Sequence, residues 1–181
     1  GWDWALIAER TAKGIVGMGA ALVGELLYGA LRHGATIHTG TRAVALRTGL
    51  DGGVVGVVAE SADGPVEITA RRGVVLATGG FEWDRQLVNQ FLGVPMVAPA
   101  SPPSNTGDGL RMSQAVGAAL GNMTEAWWGP MVYAEGDTYD GQPLFRPTSG
   151  LRTRPGGIIV NRTGRRFINE AMNYNDFGKA L

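Results

Sequence analysis

Apolar residues recur at intervals of three and four between Ala20 and Arg32, where Leu22, Val23, Leu26, Leu27, Ala30 and Leu31 mark one helical face. His33-Gly34 then supplies a cationic last turn and a C-terminal glycine, so a helix is predicted there. From Thr36 the pattern changes to short β-prone runs: Thr36 to His38, Ala43 to Arg47, Val54 to Glu60 and Val66 to Ala70. Turn sequences Asp51-Gly52-Gly53 and Asp63-Gly64-Pro65 separate the last three and predict an antiparallel meander. Gly73 to Thr78 is a continuous apolar run, the pattern of a strand buried on both faces of a mainly parallel sheet. A central position is expected for it.

Asp84 to Leu92 predicts a short helix, and Pro95 to Pro103 a Pro- and Ala-rich connection of the kind found beside a site. Thr106 is expected to cap a helix running to about Leu120, with Asp108 in the first turn, where a carboxylate suits the helix dipole. After Asn122 the pattern loses its period. Trp127, Trp128, Pro130, Tyr133 and Tyr139 predict an irregular aromatic stretch before a strand from Ile158 to Val160. A domain boundary is expected between Gly121 and Tyr133, dividing the chain into residues 1–125 and 126–181.

Composition narrows the function classes. At 181 residues, 44% hydrophobic and 18% charged, the chain suffices for one globular unit or one and a half domains. Sixteen basic and sixteen acidic residues cancel without like-charge blocks, which argues against nucleic acid and for a small-molecule partner. No cysteine is present, so disulfides, thiolate metal sites and Cys nucleophiles are excluded together, and a reducing, cytoplasmic setting is expected. Only His33 and His38 offer imidazole, and their spacing fits a helix end and a following strand, so no metal site is expected. The apolar stretch from Ile15 to Leu31 is broken by four glycines and Glu25, and no transmembrane segment is expected.

Several glycine-rich segments invite a chemical reading. Gly17-Met18-Gly19 is not a dinucleotide fingerprint: no strand precedes it, the third glycine is out of place, and no acidic residue follows at the required distance. Ala77-Thr78-Gly79-Gly80 follows an apolar run, and there glycines let bare backbone approach a pyrophosphate or an adenine ring. A plain strand-to-helix turn is its bland alternative. Thr106-Gly107-Asp108-Gly109 stands at a helix start, where glycines often only cap. Together the two turns suggest convergence on one extended ligand. Trp127 and Trp128 suit the wall of an apolar substrate channel, or equally a packed core. The Asn-x-Thr triplets at Asn122 and Asn161 match glycosylation acceptors only formally.

The set as a whole resembles the flavoprotein family of fumarate reductase and succinate dehydrogenase flavoprotein subunits and 3-ketosteroid dehydrogenases. The resemblance covers nearly the full chain. It is carried by Ala77 to Phe81 (Ala-Thr-Gly-Gly-Phe), Thr106 to Gly109 (Thr-Gly-Asp-Gly), Gly156 to Asn161 (Gly-Gly-Ile-Ile-Val-Asn) and Arg166 to Glu170 (Arg-Phe-Ile-Asn-Glu), in family order. It implies an α/β fold: the later part of a Rossmann-like FAD-binding domain with an antiparallel β-meander over 1–125, and the beginning of an α+β catalytic or capping domain over 126–181. It also implies FAD held through backbone at Ala43, Ala77, Thr78, Gly79, Gly80, Thr106, Gly107, Asp108 and Gly109. The family's amino-terminal glycine fingerprint and its carboxy-terminal closing segment are both absent. The chain therefore reads as a fragment whose remaining partners include the missing parts of its own parent.

In the fumarate reductases an arginine four residues after the Asn-Glu pair donates a proton; here that position is Tyr174. In the ketosteroid dehydrogenases the matching tyrosine exchanges a proton with substrate, so the resemblance makes Tyr174 the catalytic candidate. The tyrosine of that subfamily follows a proline, whereas this chain has Asn173-Tyr174-Asn175-Asp176. The implied reaction is desaturation of a 3-ketosteroid or similar cyclic ketone, with hydride passing to FAD N5, a proton to Tyr174, and electrons to an external acceptor. An unassisted phenol titrates near 10, so such a base needs a neighbouring cation, hydrogen bond or relay, for which Arg154 is a candidate. The alternatives are a fumarate-reductase-like reductase of an activated double bond, and a non-catalytic piece without flavin.

Overall fold

The computed structural model describes residues 3–181, and the chain divides into two compact units. The first comprises Gly1–Arg42 with Ser61–Asp63. It carries α1 (Trp4–Ala12), capped by the Asp3 carboxylate accepting the Leu6 N–H at 3.0 Å, and α2 (Met18–Arg32). The end of α2 is as the sequence predicts: Gly34 N–H donates to the Leu31 carbonyl and Ala35 N–H to the Ala30 carbonyl, both at 3.0 Å, which satisfies carbonyls the helix cannot. Among the described residues Leu26 on the apolar face of α2 is 65% exposed. Among the described residues no ladder forms at Thr36 to His38, so the strand expected there is not found.

The second unit, Ala43–Glu60 with Gly64–Leu181, holds the predicted meander. Strands β1 (Arg42–Thr48), β2 (Val54–Ser61) and β3 (Gly64–Thr69) form one sheet in the order β1-β2-β3. Their connections, residues 49–53 and 62–63, are short enough to demand antiparallel hairpins. Gly56 and Ala59 of the middle strand are buried.

Gly73 to Thr78 departs from expectation, since it forms no strand and pairs with none among the described residues, and Val75 is 91% exposed. A strand of that composition is stable only between parallel neighbours and under covering layers, and the described residues supply neither.

Downstream, α3 (Arg85–Phe91) starts at Asp84, whose carboxylate accepts the Leu87 N–H at 2.9 Å and the Arg111 guanidinium at 2.5 Å. The cap bond from Leu87, then Arg111, hold Asp84 below the usual carboxylate range. Arg111 lies on α4 (Asp108–Ala115), so one acid ties two helices together. Gly107, left-handed at φ 80°, is the N-cap of α4 in place of Thr106, whose hydroxyl bonds the Ser104 carbonyl and the Asp108 carboxylate and, among the described residues, caps no helix N–H. The helix also stops before Leu120: Gly117 N–H returns to the Gln114 carbonyl and Ala118 N–H to the Ser113 carbonyl, both at 3.0 Å.

The stretch expected to be irregular contains an antiparallel hairpin, β4 (Met131–Tyr139) and β5 (Gln142–Pro147), with Met131 opposite Pro147 and Tyr139 opposite Gln142. Asp140 and Gly141 turn it with φ of 49° and 72°, a pair of left-handed residues that matches strand twist. A short α5 (Ser149–Arg152) and α6 (Tyr174–Ala180) follow. Between them, Val160 makes a single antiparallel bridge to Arg166 in place of the strand expected from Ile158. No helix of the described residues is long and apolar enough to cross a membrane.

Candidate functional site

The two glycine turns lie side by side. Gly107 N–H donates to the Gly80 carbonyl at 3.0 Å, and Trp83 N–H to the Asn105 carbonyl at 3.2 Å. Asn105 Nδ2 adds a bond to Glu82 Oε1 at 3.0 Å. The fit leaves no room for side chains, since a Cβ on Gly79 would run into the Asn105 amide and one on Gly109 into the Thr78 hydroxyl. Thr106 Oγ1 donates to Asp108 Oδ1 at 3.3 Å, which places that carboxylate at the first turn of α4. Residues 78–80 and 105–109 are thus held together, with Gly107 and Gly109 buried beneath the exposed turn at 78–80. Ala43 stands at the start of β1 in the three-stranded sheet, outside the hydrogen bonds that join the turns.

Beside this surface opens a cleft of about 760 Å³ that runs from Gly80, Phe81 and Glu82 to Trp127, Trp128 and Tyr174. Its walls are largely apolar, and the Pro- and Ala-rich connection contributes Met96 and residues 98–101. Tyr174 is the first residue of α6, which Asn173 caps by accepting the Asn175 N–H at 2.8 Å. The Trp127 indole N–H donates to Tyr174 Oη at 2.7 Å, with the two rings 6.3 Å apart. Arg154, the cation expected to assist the phenol, is exposed and does not line the cleft. The group that meets the phenol is the indole.

The Gly156–Asn161 and Arg166–Glu170 motifs fold against each other rather than into the cleft. Glu170 Oε1 accepts the Ile159 N–H at 2.8 Å, and the carboxylate takes a forked pair from Arg166 Nε and Nη2. Arg152, 9% exposed, donates to the Glu170 main-chain carbonyl and lies 5.1 Å over the Phe177 ring, which is fully buried in α6. Asn161 Oδ1 accepts N–H bonds from Thr163 and Arg165, both at 3.0 Å, so its place in an Asn-x-Thr triplet reflects a turn. These contacts fix the start of α6, and so Tyr174. Sequence reasoning missed them, although Arg166 and Glu170 four residues apart were legible as a pair.

Glu170 carries a pH prediction. The Arg166 hydrogen bonds, followed by the Ile159 N–H, lower its carboxyl from 4.5 to about 2. A depressed carboxyl contributes stability that is complete above its unfolded value and is lost as protons bind the folded state. Stability should therefore fall between pH 4.5 and about 2, and Glu170→Gln should flatten that part of the profile. Urea denaturation followed by circular dichroism across this range measures the difference.

Comparison with known proteins decides the family: the FAD binding domain family matches residues 3–181. The chain belongs to that family. It is 44% identical to the 4-oxocyclohexanecarboxylate 2-dehydrogenase of Sinomonas cyclohexanicum over 99% of this chain and 32% of that protein. With the 3-oxosteroid 1-dehydrogenase of Mycobacterium tuberculosis it shares 41% identity over 92% of this chain and 30% of the relative. The crystal structure of 3-ketosteroid delta1-dehydrogenase from Sterolibacterium denitrificans in complex with 1,4-androstadiene-3,17-dione superposes with a TM-score of 0.77 at 36% identity, covering 86% of this chain and 28% of that one. The chain spans about a third of the length of the curated relatives it matches. The family resemblance and the partial FAD-binding fold read from the sequence are borne out.

FAD is the cofactor of the FAD binding domain family, and the glycine surface suits it. Residues 77–80 are exposed, and among the described residues the N–H groups of Thr78, Gly79 and Gly80 have no hydrogen-bond partner. Bare donors on side-chain-free backbone are what a dinucleotide's polar atoms require.

Proposed function

We propose that this FAD binding domain chain supplies one wall of the flavin site and the proton acceptor of a dehydrogenase acting on the CH-CH group beside a ring ketone. The observation that carries the reading is the cleft: Gly80, from the joined glycine turns, and Tyr174 line the same cavity. In this reading residues 1–125 are the later part of the FAD-binding domain and 126–181 the beginning of the catalytic or capping domain. Backbone at Ala43, Ala77, Thr78, Gly79, Gly80, Thr106, Gly107, Asp108 and Gly109 holds FAD. Bound FAD supplies the two-electron hydride acceptor. Tyr174 Oη, as the phenolate after its own proton has passed to water, takes the proton from the carbon next to the ketone, and the apolar walls with Trp127 and Trp128 orient the ring.

The substrate is a 3-ketosteroid or smaller cyclic ketone. The names of the two relatives, one an oxocyclohexanecarboxylate dehydrogenase and the other an oxosteroid dehydrogenase, both describe ring ketones. Tyr174, where fumarate reductases carry arginine, supports dehydrogenation over reduction of fumarate. An external electron acceptor, sequence beyond these 181 residues completing the flavin site, and a cytoplasmic setting belong to the same proposal.

The test reconstitutes the full-length gene product with FAD and follows reduction of an artificial electron acceptor by 3-ketosteroids and 4-oxocyclohexanecarboxylate, alongside fumarate reduction. The expected result is yellow protein that oxidises at least one ring ketone and leaves fumarate unchanged. Fumarate turnover without ketone oxidation overturns the dehydrogenase reading, and protein that stays colourless in FAD overturns the flavin site.

A further inference from the structure

The segment 125–129 and one face of α6 are bound to each other residue by residue. Trp127 Nε1 donates to Tyr174 Oη at 2.7 Å, and the next residue on each side repeats the pairing, Trp128 N–H donating to Asn175 Oδ1 at 2.9 Å. One helical turn further on, Gly178 packs so closely that a Cβ there would lie 2.6 Å from the Gly129 nitrogen, and Lys179 pairs with Glu125 at 2.6 Å. The close Gly178–Gly129 approach and the Trp128–Asn175 bond fix how the two segments meet, independently of the Trp127 and Tyr174 rings. The contact between indole and phenol is thus set by the fold and is not a chance meeting of two surface rings.

The chemistry of the contact is asymmetric. An indole N–H donates and cannot accept, so the phenol oxygen must be the acceptor, and the Tyr174 hydroxyl proton must point elsewhere. Both rings line the cleft, and among the described residues Tyr174 Oη has no hydrogen-bond partner besides Trp127, so the phenol oxygen is held at one place on the cleft wall with capacity for another group. Proton transfer between oxygen and carbon is sensitive to such placement, because the reacting atoms must meet within hydrogen-bond reach.

We propose that Trp127 is the positioning residue for Tyr174: its indole N–H fixes the phenol oxygen that exchanges a proton with the substrate. The role rests on the reading of Tyr174 as proton acceptor. It differs from that of a wall residue, since a wall needs only the ring. Trp127 is 84% exposed, so its replacement by phenylalanine removes the donor and keeps an aromatic surface without emptying a core.

Two measurements test the role. In proton–nitrogen correlation spectra of the 181-residue chain, which has five tryptophans, the indole signal lost in Trp127→Phe is expected to lie downfield and to move upfield in Tyr174→Phe. In the flavin-loaded full-length protein, Trp127→Phe is expected to lower kcat about tenfold, with KM for the ring ketone changed less than about twofold. An indole signal that ignores Tyr174→Phe overturns the proposal. So does a Trp127→Phe enzyme with wild-type kcat while Tyr174→Phe is inactive, or one whose loss lies wholly in KM, as a simple wall would give. Full turnover in Tyr174→Phe removes the proton-acceptor assignment itself, and the positioning role falls with it even where the spectra show the bond.

Discussion

Tyr174→Phe in the flavin-loaded full-length protein is expected to lower turnover of a ring ketone by about 10²- to 10⁴-fold, the contribution of a positioned proton-transfer group. The substitution removes one oxygen and little else. The ring, tilted against Trp127 at 6.3 Å between centroids, remains, and α6 keeps its Asn173 cap, its Asn175 bond to Trp128 and its Lys179 pair with Glu125. Flavin content should hold at the wild-type level, because residues 77–80 and 106–109 are joined through Gly80, Asn105 and Gly107 without using the phenol. KM should change little, since the apolar lining from Phe81 to Met131 is intact. Steady-state kinetics beside the visible flavin spectrum separate the two effects. Turnover within about tenfold of wild type, with flavin bound, would reject Tyr174 as the proton acceptor.

What the sequence revealed and what it concealed follow from the range of the interactions. Helix α2 and the three-stranded meander were legible because their signals are local: a period of three to four closed by His33-Gly34, and β-prone runs cut by Gly-rich turns. The second hairpin was equally local, with Asp140-Gly141 as its turn signal, but tryptophans and prolines around it masked the alternation. Gly73 to Thr78 was read as a central strand because composition reports burial on two faces, whereas pairing depends on neighbours distant in sequence. In the site, both glycine turns were readable as turns, yet the bond between Gly107 and Gly80 spans residues no periodicity connects. The same holds for Trp127 and Tyr174, which lie 47 positions apart. Arg154 drew attention as a cation near the motif, but hydrogen bonding at the phenol came from an uncharged ring whose donor composition alone does not reveal.

Gly107→Val is expected to damage stability and flavin binding together, and so to test whether the joined turns are one structural unit. Gly107 is buried with φ of 80°, a conformation that costs a β-branched residue about 1–3 kcal/mol. A Cβ there would also lie 2.5 Å from Leu87 Cδ1 and 3.0 Å from Phe81 Cβ, and overpacking of this kind adds about 1–3 kcal/mol. The two effects act on the same backbone, which must also keep its N–H on the Gly80 carbonyl, so relief of one contact strains the other. Together these cost about 2–6 kcal/mol, a large part of the about 5–15 kcal/mol that holds a typical protein folded. Gly121→Ala is the control, since no atom lies within 4 Å of a Cβ there and its φ is not positive. Urea midpoints and bound flavin, measured for both variants in the full-length protein, should fall for Gly107→Val and stay unchanged for Gly121→Ala. If the valine variant kept its midpoint but lost flavin, the turn would matter to the ligand alone; if it kept both, the bond from Gly107 to Gly80 would not be what aligns the surface.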